Sequence, residues 1–360
     1  MTPTISLPPT FDGIGYTRVG GGLPLETISV AVPKPGSNEV LIHAFWSSLN
    51  PLEYKLAHLN FMGRTPPVVL GFDLAGIVVG IGDDVLDFVI GDEVMAMADL
   101  NGEGGWATGG AGGFALARDF LTVKKPASLS FREAAVLPMC FLSAYAALQP
   151  YVCEGDTIYV PGGGGGVGHL AVQIAARTLG AALVISSGGT QASRDLARSS
   201  GAGRVFDYRV DDVAAEITAL TGGKGVDLVY DATYNETSFV ETAKMVREGG
   251  TWVVLGVGPG KTTRTAETYS PVEDILAARS ARFINVNILR YFSEPARLDE
   301  TAKSFIRNGM RLAAQWAAEG KVVPHVDKTI KGNPAEISDQ LAIMAKGTGN
   351  LGKIAVDLRS

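Results

Sequence analysis

The chain carries 360 residues, with 31 Lys and Arg against 37 Asp and Glu for a formal net charge of -6, and 46% of it is hydrophobic. That length supplies core for two domains or one large one, the acidic balance argues against a general nucleic-acid binder, and no apolar run is long enough to span a bilayer. The first residues lack the basic start and apolar centre of a secretory signal, and Cys140 and Cys153 make neither a disulfide framework nor a Cys-x-x-Cys metal knuckle, so a reducing, cytoplasmic setting without membrane attachment is expected.

Residues 1 to about 145 alternate β-rich runs (39–45, 68–70, 75–79, 93–97 and 113–117) with Gly, Pro and Asp. That pattern suits a partly open β-barrel. Within this zone, residues 101–113 hold seven glycines around Trp106. They read as a mobile surface loop near a cleft mouth, with a Trp106 lid as the lesser alternative. From about 146 to 290, strand-like runs at 157–160, 182–187, 204–207, 226–231, 251–255 and 282–288 alternate with helical segments. Six strands are the count of a doubly wound dinucleotide-binding (Rossmann) domain. After Pro295 a helical stretch runs to Glu319 with one apolar face, followed by strand-like runs at 322–326 and 352–357. The tail is expected to return to the first zone, so that 1–145 and 296–360 form one unit and 146–295 an inserted one.

The run from Val160 to Gly168 contains five consecutive glycines between a strand-like and a helix-like segment. Gly163, Gly165 and Gly168 fit G-x-G-x-x-G: a tight turn, a close backbone approach to a pyrophosphate, and helix-on-strand packing. The helix start then offers N–H groups and a positive dipole end to phosphates. Dinucleotide sites specific for NAD usually carry an acid at the end of the next strand to hold the ribose 2′-OH. Here that strand ends Ser186-Ser187-Gly188, with no carboxylate before Asp195. The serines and Thr190 can donate to a 2′-phosphate, and Arg194 or Arg198 can neutralise it, with Lys261 as another candidate. NADP(H) is therefore expected over NAD(H); the plainer alternative makes Arg194 and Arg198 a solvated helix face.

Several further motifs stand in order: Pro35-Gly36 before Glu39-Val40-Leu41, Asn50-Pro51-Leu52-Glu53-Tyr54-Lys55, Gly71-Phe72-Asp73-Leu74-Ala75-Gly76, Gly91-Asp92-Glu93-Val94, Ala134 to Pro138, and Leu142-Ser143-Ala144-Tyr145. Over nearly its whole length the chain resembles the medium-chain dehydrogenase/reductase superfamily, in its quinone oxidoreductase and enone reductase branch. The resemblance implies an α/β fold: a doubly wound six-stranded Rossmann domain joined to a partly open, GroES-like β-barrel catalytic domain. Zinc-dependent members place Cys where Asn50 stands and Gly-His-Glu where Gly71-Phe72-Asp73 stands, and often carry a four-cysteine lobe for which this chain has no residues. His43, His58, His169 and His325 show no ligand spacing, and each reads as a surface or satisfied core residue. A catalytic zinc needs about three protein ligands, so no metal is expected and alcohol oxidation is disfavoured.

What remains is hydride transfer to an electron-poor π-system, a quinone or the C=C of an α,β-unsaturated carbonyl. The resemblance puts the segment from Asn50 to Lys55 against the substrate, with Glu53 replacing the usual Asp. Lys55 is the candidate to stabilise developing negative charge and Tyr54 to donate or to wall the cleft. The alternatives are a surface lysine paired with Glu53 or Asp73, and a packed tyrosine. The implied cofactor-contacting set is Asn50, Ser143, Gly163, Gly165, Gly166, Val167, Gly168, Ser186, Ser187, Arg194, Gly256 and Lys353; Asp73 reads equally as structural. A homodimer is expected through the sheet edge formed by 252–255 and 283–288. Two other readings stay open: a nucleotide-binding structural protein without turnover, and an enoyl-thioester reductase, for which no basic mouth is evident.

Overall fold

The structure, a computed structural model, describes residues 6–18, 24–60, 63–99, 109–233, 236–255, 266–288, 298–347 and 350–359. Strands β1 (Thr10–Tyr16), β2 (Glu26–Ala31) and β4 (Val68–Val69) make a small antiparallel sheet in the order β2-β1-β4. A second sheet contains β3 (Glu39–Leu49), β5 (Asp73–Ile81), β6 (Glu93–Met97), β7 (Phe114–Arg118), β8 (Thr122–Lys124), β15 (Val326–Lys331) and β16 (Lys353–Asp357). Its order is β15-β16-β3-β5-β6-β8, with β7 also paired to β3. Register shifts between Leu41 and Ile42 and between Ala44 and Trp46 bend β3, and it pairs with β5, β7 and β16. The partners Ile354↔Leu49 through Asp357↔Trp46 bring the last strand back onto the first zone.

The third sheet is built from β9 (Thr157–Pro161), β10 (Leu183–Ser187), β11 (Arg204–Phe206), β12 (Val226–Asp231), β13 (Val246–Leu255) and β14 (Arg282–Val286). All neighbours are parallel, in the order β11-β10-β9-β12-β13-β14. This is the doubly wound arrangement, in which the order reverses beside β9. Ile158, Val160, Ile185, Val229, Val253 and Val254 are buried, as strands covered on both faces require. Helix α1 (Pro51–Leu59) follows β3, α2 (Phe131–Ala134) and α3 (Pro138–Leu148) lead to β9, α4 (Gly168–Arg177) packs on β9 and β10, and α5 (Gln191–Ser200) packs on β10 and β11.

Three details depart from the sequence pattern. The strand expected at 322–326 runs instead over β15, Val326–Lys331, because Pro324 has no N–H for a ladder; Val323 there is exposed. The long helix spans Glu300–Ala318, starting where the Asp299 side chain accepts from Ala302 N at 2.7 Å, a cap that overrides the earlier apolar periodicity. Helix α1 was not evident as a helix. Pro51 sits at its first position, and the Glu53 carboxylate reaches back to Asn50 N at 2.7 Å, half of a capping box.

Candidate active site

The turn between β9 and α4 lies at the carboxyl end of the central strand, where the strand order reverses. A Cβ on Gly168 would fall 2.2 Å from Gly162 O, and one on Gly163 would fall 2.1 Å from Ser186 Oγ, whereas at Gly165 only Gly162 O comes within 4 Å, at 3.3 Å. The outer glycines therefore serve packing, and the middle one leaves room for a ligand. Helix α4 has no side-chain cap at Val167; His169 N donates to Gly165 O at 3.0 Å, and the positive end of the helix around it is suited to an anion. Gly166 stands over Lys353 and Cys140: a Cβ there would lie 3.2 Å from Lys353 Cδ and 3.4 Å from Cys140 Sγ.

The two serines at the end of β10 face inward. Ser186 Oγ donates to Val160 O at 2.7 Å and accepts from Gly163 N at 3.1 Å, and Ser187 Oγ is 2.9 Å from Tyr159 OH. Their hydroxyls hold the turn and the sheet together. Arg194, near the mouth of β10, donates to Gly188 O at 3.2 Å and to Asp207 Oδ2 at 2.6 Å. Arg198 makes an exposed pair with Asp195, the solvated-face arrangement. Asp207 and Tyr208, just after β11, stand beside this mouth, where the sequence rule that puts the ribose-binding acid on β10 does not point. The Asp207 carboxyl is held low by the Arg209 N–H, with further contributions from the side chains of Arg209 and Arg194. Tyr208 is exposed, and a Cβ on Gly189 would lie 2.4 Å from its hydroxyl.

Below the glycine turn lies a buried polar cluster drawn from five elements, β3, α1, β5, α3 and β16. Asp73, which opens β5, accepts from Ser48 Oγ at 3.0 Å, Asn50 Nδ2 at 2.9 Å, Met139 N at 2.7 Å and Lys353 Nζ at 3.3 Å. Lys353 Nζ also donates to Leu49 O at 3.0 Å and Asn50 Oδ1 at 2.6 Å. Glu53 accepts from Asn50 N and from Phe72 N at 3.1 Å, and its carboxyl is pushed up to about 7 by burial, against the attraction of Lys353. Burial likewise pushes the Cys140 thiol up to about 11. Lys55 and Tyr54, on α1, are both buried, which removes the surface-lysine alternative; burial also raises the Tyr54 phenol and favours its neutral form. Ser143 Oγ donates to Met139 O at 2.7 Å, leaving its lone pairs as acceptors.

A second set of contacts ties this cluster to the turn. Gly352 N donates to Gly164 O at 2.8 Å, and Gly165 bridges Gly352. The His169 ring is 2.9 Å from Gly165 O through Nδ1, and Nε2 accepts from His325 N at 3.1 Å. Burial pushes this imidazole down to about 4, so it is a neutral, satisfied core histidine. The expected contact residue Gly256, the alternative cation Lys261 and Trp106 lie outside the described residues.

Two family models match the chain. Residues 36–127 match the model for the alcohol dehydrogenase GroES-like domain, and residues 166–300 that of the zinc-binding dehydrogenase. The fold and turn thus define a dinucleotide-binding oxidoreductase with a GroES-like partner domain. The chloroplast envelope quinone oxidoreductase homolog of Arabidopsis thaliana is 33% identical over 76% of this chain and 86% of its own length. The 2-methylene-furan-3-one reductase of Solanum lycopersicum is 33% identical over 70% of this chain and 64% of its own. A mycobacterial protein solved in complex with NADPH shares the fold at a TM-score of 0.78 and 24% identity, covering 97% of this chain and 100% of that one. The chain belongs to the medium-chain dehydrogenase/reductase superfamily, in its quinone oxidoreductase and enone reductase branch.

Zinc, which the second domain description implies, does not fit these residues. Where zinc-dependent members carry Cys, His and Glu, this chain has an amide, a phenyl ring and a carboxylate that already accepts four hydrogen bonds, one of them from an ammonium. Among the described residues no group of three or more His, Cys, Asp or Glu could hold a metal ion.

Two outcomes test this geometry. Gly168→Ala should weaken binding of the reduced nicotinamide dinucleotide by about tenfold or more, because the added methyl collides with Gly162 O and displaces the phosphate turn; wild-type affinity by fluorescence titration would contradict it. Glu53 binds its proton more tightly in the folded than in the unfolded chain, so its contribution to stability is full below its unfolded pKa and is lost as pH rises through about 7. His169, neutral in the fold, acts in the opposite sense below its ordinary pKa. Urea unfolding should therefore show a Glu53→Gln variant losing up to about 3 kcal/mol less than wild type between about pH 5 and 8. Parallel curves would refute the raised carboxyl.

Proposed function

We propose that this protein is an NADPH-dependent reductase of quinones or of the activated C=C of α,β-unsaturated carbonyls, acting without a metal. The observation that carries the reading is the junction of turn and substrate-side helix: Gly352 is hydrogen-bonded to the glycine turn, and the next residue, Lys353, holds Asn50 at the start of α1. A cofactor laid along the turn is thereby aimed at the helix that carries Tyr54 and Lys55. The names of the relatives support both acceptor classes. NADPH rather than NADH is favoured by the absence of an acid at the end of β10 and by Arg194 at its mouth. Asp207 pairs with that arginine, so a 2′-phosphate would have to compete with it.

The bound cofactor would supply the hydride. The chain's own residues orient, desolvate and handle charge. In this reading Lys55 stabilises the oxyanion that forms as the acceptor is reduced, and Tyr54, whose phenol burial raises, donates a hydrogen bond or proton to it. The buried walls exclude water around the reacting atoms. In this reading residues 1–145 and 296–360 form the substrate-side unit and 146–295 the nucleotide unit. Two chains pair through β14, which among the described residues has β13 alone as its neighbour, in a reducing cytoplasmic compartment. No helix among the described residues is long and apolar enough to cross a membrane.

The deciding experiment follows NADPH and NADH consumption against 1,4-benzoquinone, 9,10-phenanthrenequinone and a simple enone. Turnover with NADPH well above NADH is expected, and Lys55→Met should lower kcat by about tenfold to a hundredfold. Tight NADPH binding with no turnover on any acceptor would overturn the enzyme reading in favour of a cofactor-binding structural protein.

A further inference from the structure

Lys353 is expected from the family resemblance as a cofactor contact, yet its ammonium is already engaged. Its side chain is 4% exposed, and its Nζ has three acceptors within hydrogen-bonding range: Leu49 O, Asn50 Oδ1 and Asp73 Oδ2. An ammonium has three hydrogens, so none remains for a ligand. One of those acceptors, Asn50, stands where zinc-dependent relatives place a Cys, and another, Asp73, directly follows Phe72, which stands where they place a His. Lys353 thus brings a fixed positive charge to the place where those relatives concentrate theirs.

We propose that Lys353 is a positioning residue of the reductase, a buried ammonium in place of a metal that locks the Asn50 amide and the start of α1 beneath the glycine turn. The proposal rests on the reductase reading above. The Asn50 amide is held at both ends: its oxygen accepts from Lys353 and its nitrogen donates to Asp73. Rotation of that amide would set its NH₂ against the ammonium and its oxygen against the carboxylate, so only one orientation satisfies all three groups. The aliphatic stem of Lys353 lies against Gly166, while its backbone N donates to His325 O at 2.9 Å and the preceding Gly352 N donates to Gly164 O. One residue therefore sets the distance between the phosphate turn and the helix of Tyr54 and Lys55. A misplacement of about 1 Å at such a junction can cost about a hundredfold in rate.

The test is a double-mutant cycle on the full-length protein with Lys353→Met, which keeps the stem but removes charge and donors, and Asn50→Ala, which leaves the Lys353–Asp73 pair in place. NADPH affinity is read by fluorescence titration and kcat and KM with the better acceptor. Lys353→Met is expected to lower kcat by about tenfold to a hundredfold, with NADPH affinity within about threefold of wild type. The double variant should be no slower than the slower single variant, because both changes break one interaction. Losses that multiply would mean that Lys353 does not act through Asn50. A tenfold or greater loss of NADPH affinity at unchanged kcat would make Lys353 a direct cofactor contact, and unchanged kcat and affinity would leave it without a role. Either result overturns the proposal. If Lys353→Met does not fold, Lys353→Arg keeps the charge but cannot bring one nitrogen to all three acceptors; the same kcat loss is expected, and wild-type kcat overturns it. A wild-type protein with no turnover on any acceptor instead removes the reductase reading and this inference with it.

Discussion

A lysine ammonium almost removed from water needs its charge balanced and every hydrogen accepted, and the architecture around Lys353 meets both demands. Desolvating an ammonium costs several kcal/mol unless it is paired and hydrogen-bonded. The acceptors come from the end of β3, the start of α1 and the start of β5, and the lysine itself opens the last strand. Residues from the beginning and the end of the chain must therefore be in place together before this charge is tolerable. The same strand, β16, pairs with β3 from Ile354↔Leu49 to Asp357↔Trp46, so the ammonium sits at the start of that ladder.

Burial also sets the state of a neighbouring acid. Asp73 makes the ion pair with Lys353 and receives four donors, whereas Glu53 receives two backbone N–H groups, and its carboxyl is pushed up to about 7 by burial, against the attraction of Lys353. A carboxyl that holds its proton toward neutrality places less negative charge beneath a turn built to receive phosphates, while its two N–H contacts still tie α1 to the segment before β5.

The fold was largely legible in the chain because its signals are local. Apolar strand runs, the glycine spacing and the punctuation by Gly and Pro act over a few residues, and five of the six parallel strands lie within a few residues of where the pattern puts them; the other, β13, starts earlier. Strand β15 was misplaced for a local reason too, a proline whose missing N–H outweighs the valines beside it. The site was only partly legible. The glycine turn could be read residue by residue, but the contacts of Lys353 with Asn50 and Asp73 span 303 and 280 positions, and no spacing rule reaches that far. Ser186 and Ser187 show the same limit: their sequence position is compatible with a phosphate, and only the neighbouring strands reveal that their hydroxyls face Val160, Gly163 and Tyr159.

Replacing a metal by an ammonium changes what the site can do. A catalytic zinc keeps one coordination position open for substrate and polarises it directly. An ammonium with three protein acceptors has no such opening. It supplies charge and orientation to its own neighbours and nothing to a substrate oxygen. In the proposed reading the work of stabilising a developing oxyanion falls to side chains on α1, whose first turn Asn50 and Glu53 hold. Such donors suit acceptors that are already electron-poor, because a quinone or an enone distributes the incoming charge over its own conjugated system. An unactivated alcohol or ketone would concentrate that charge on one oxygen and demand the stronger electrophile that this junction does not provide.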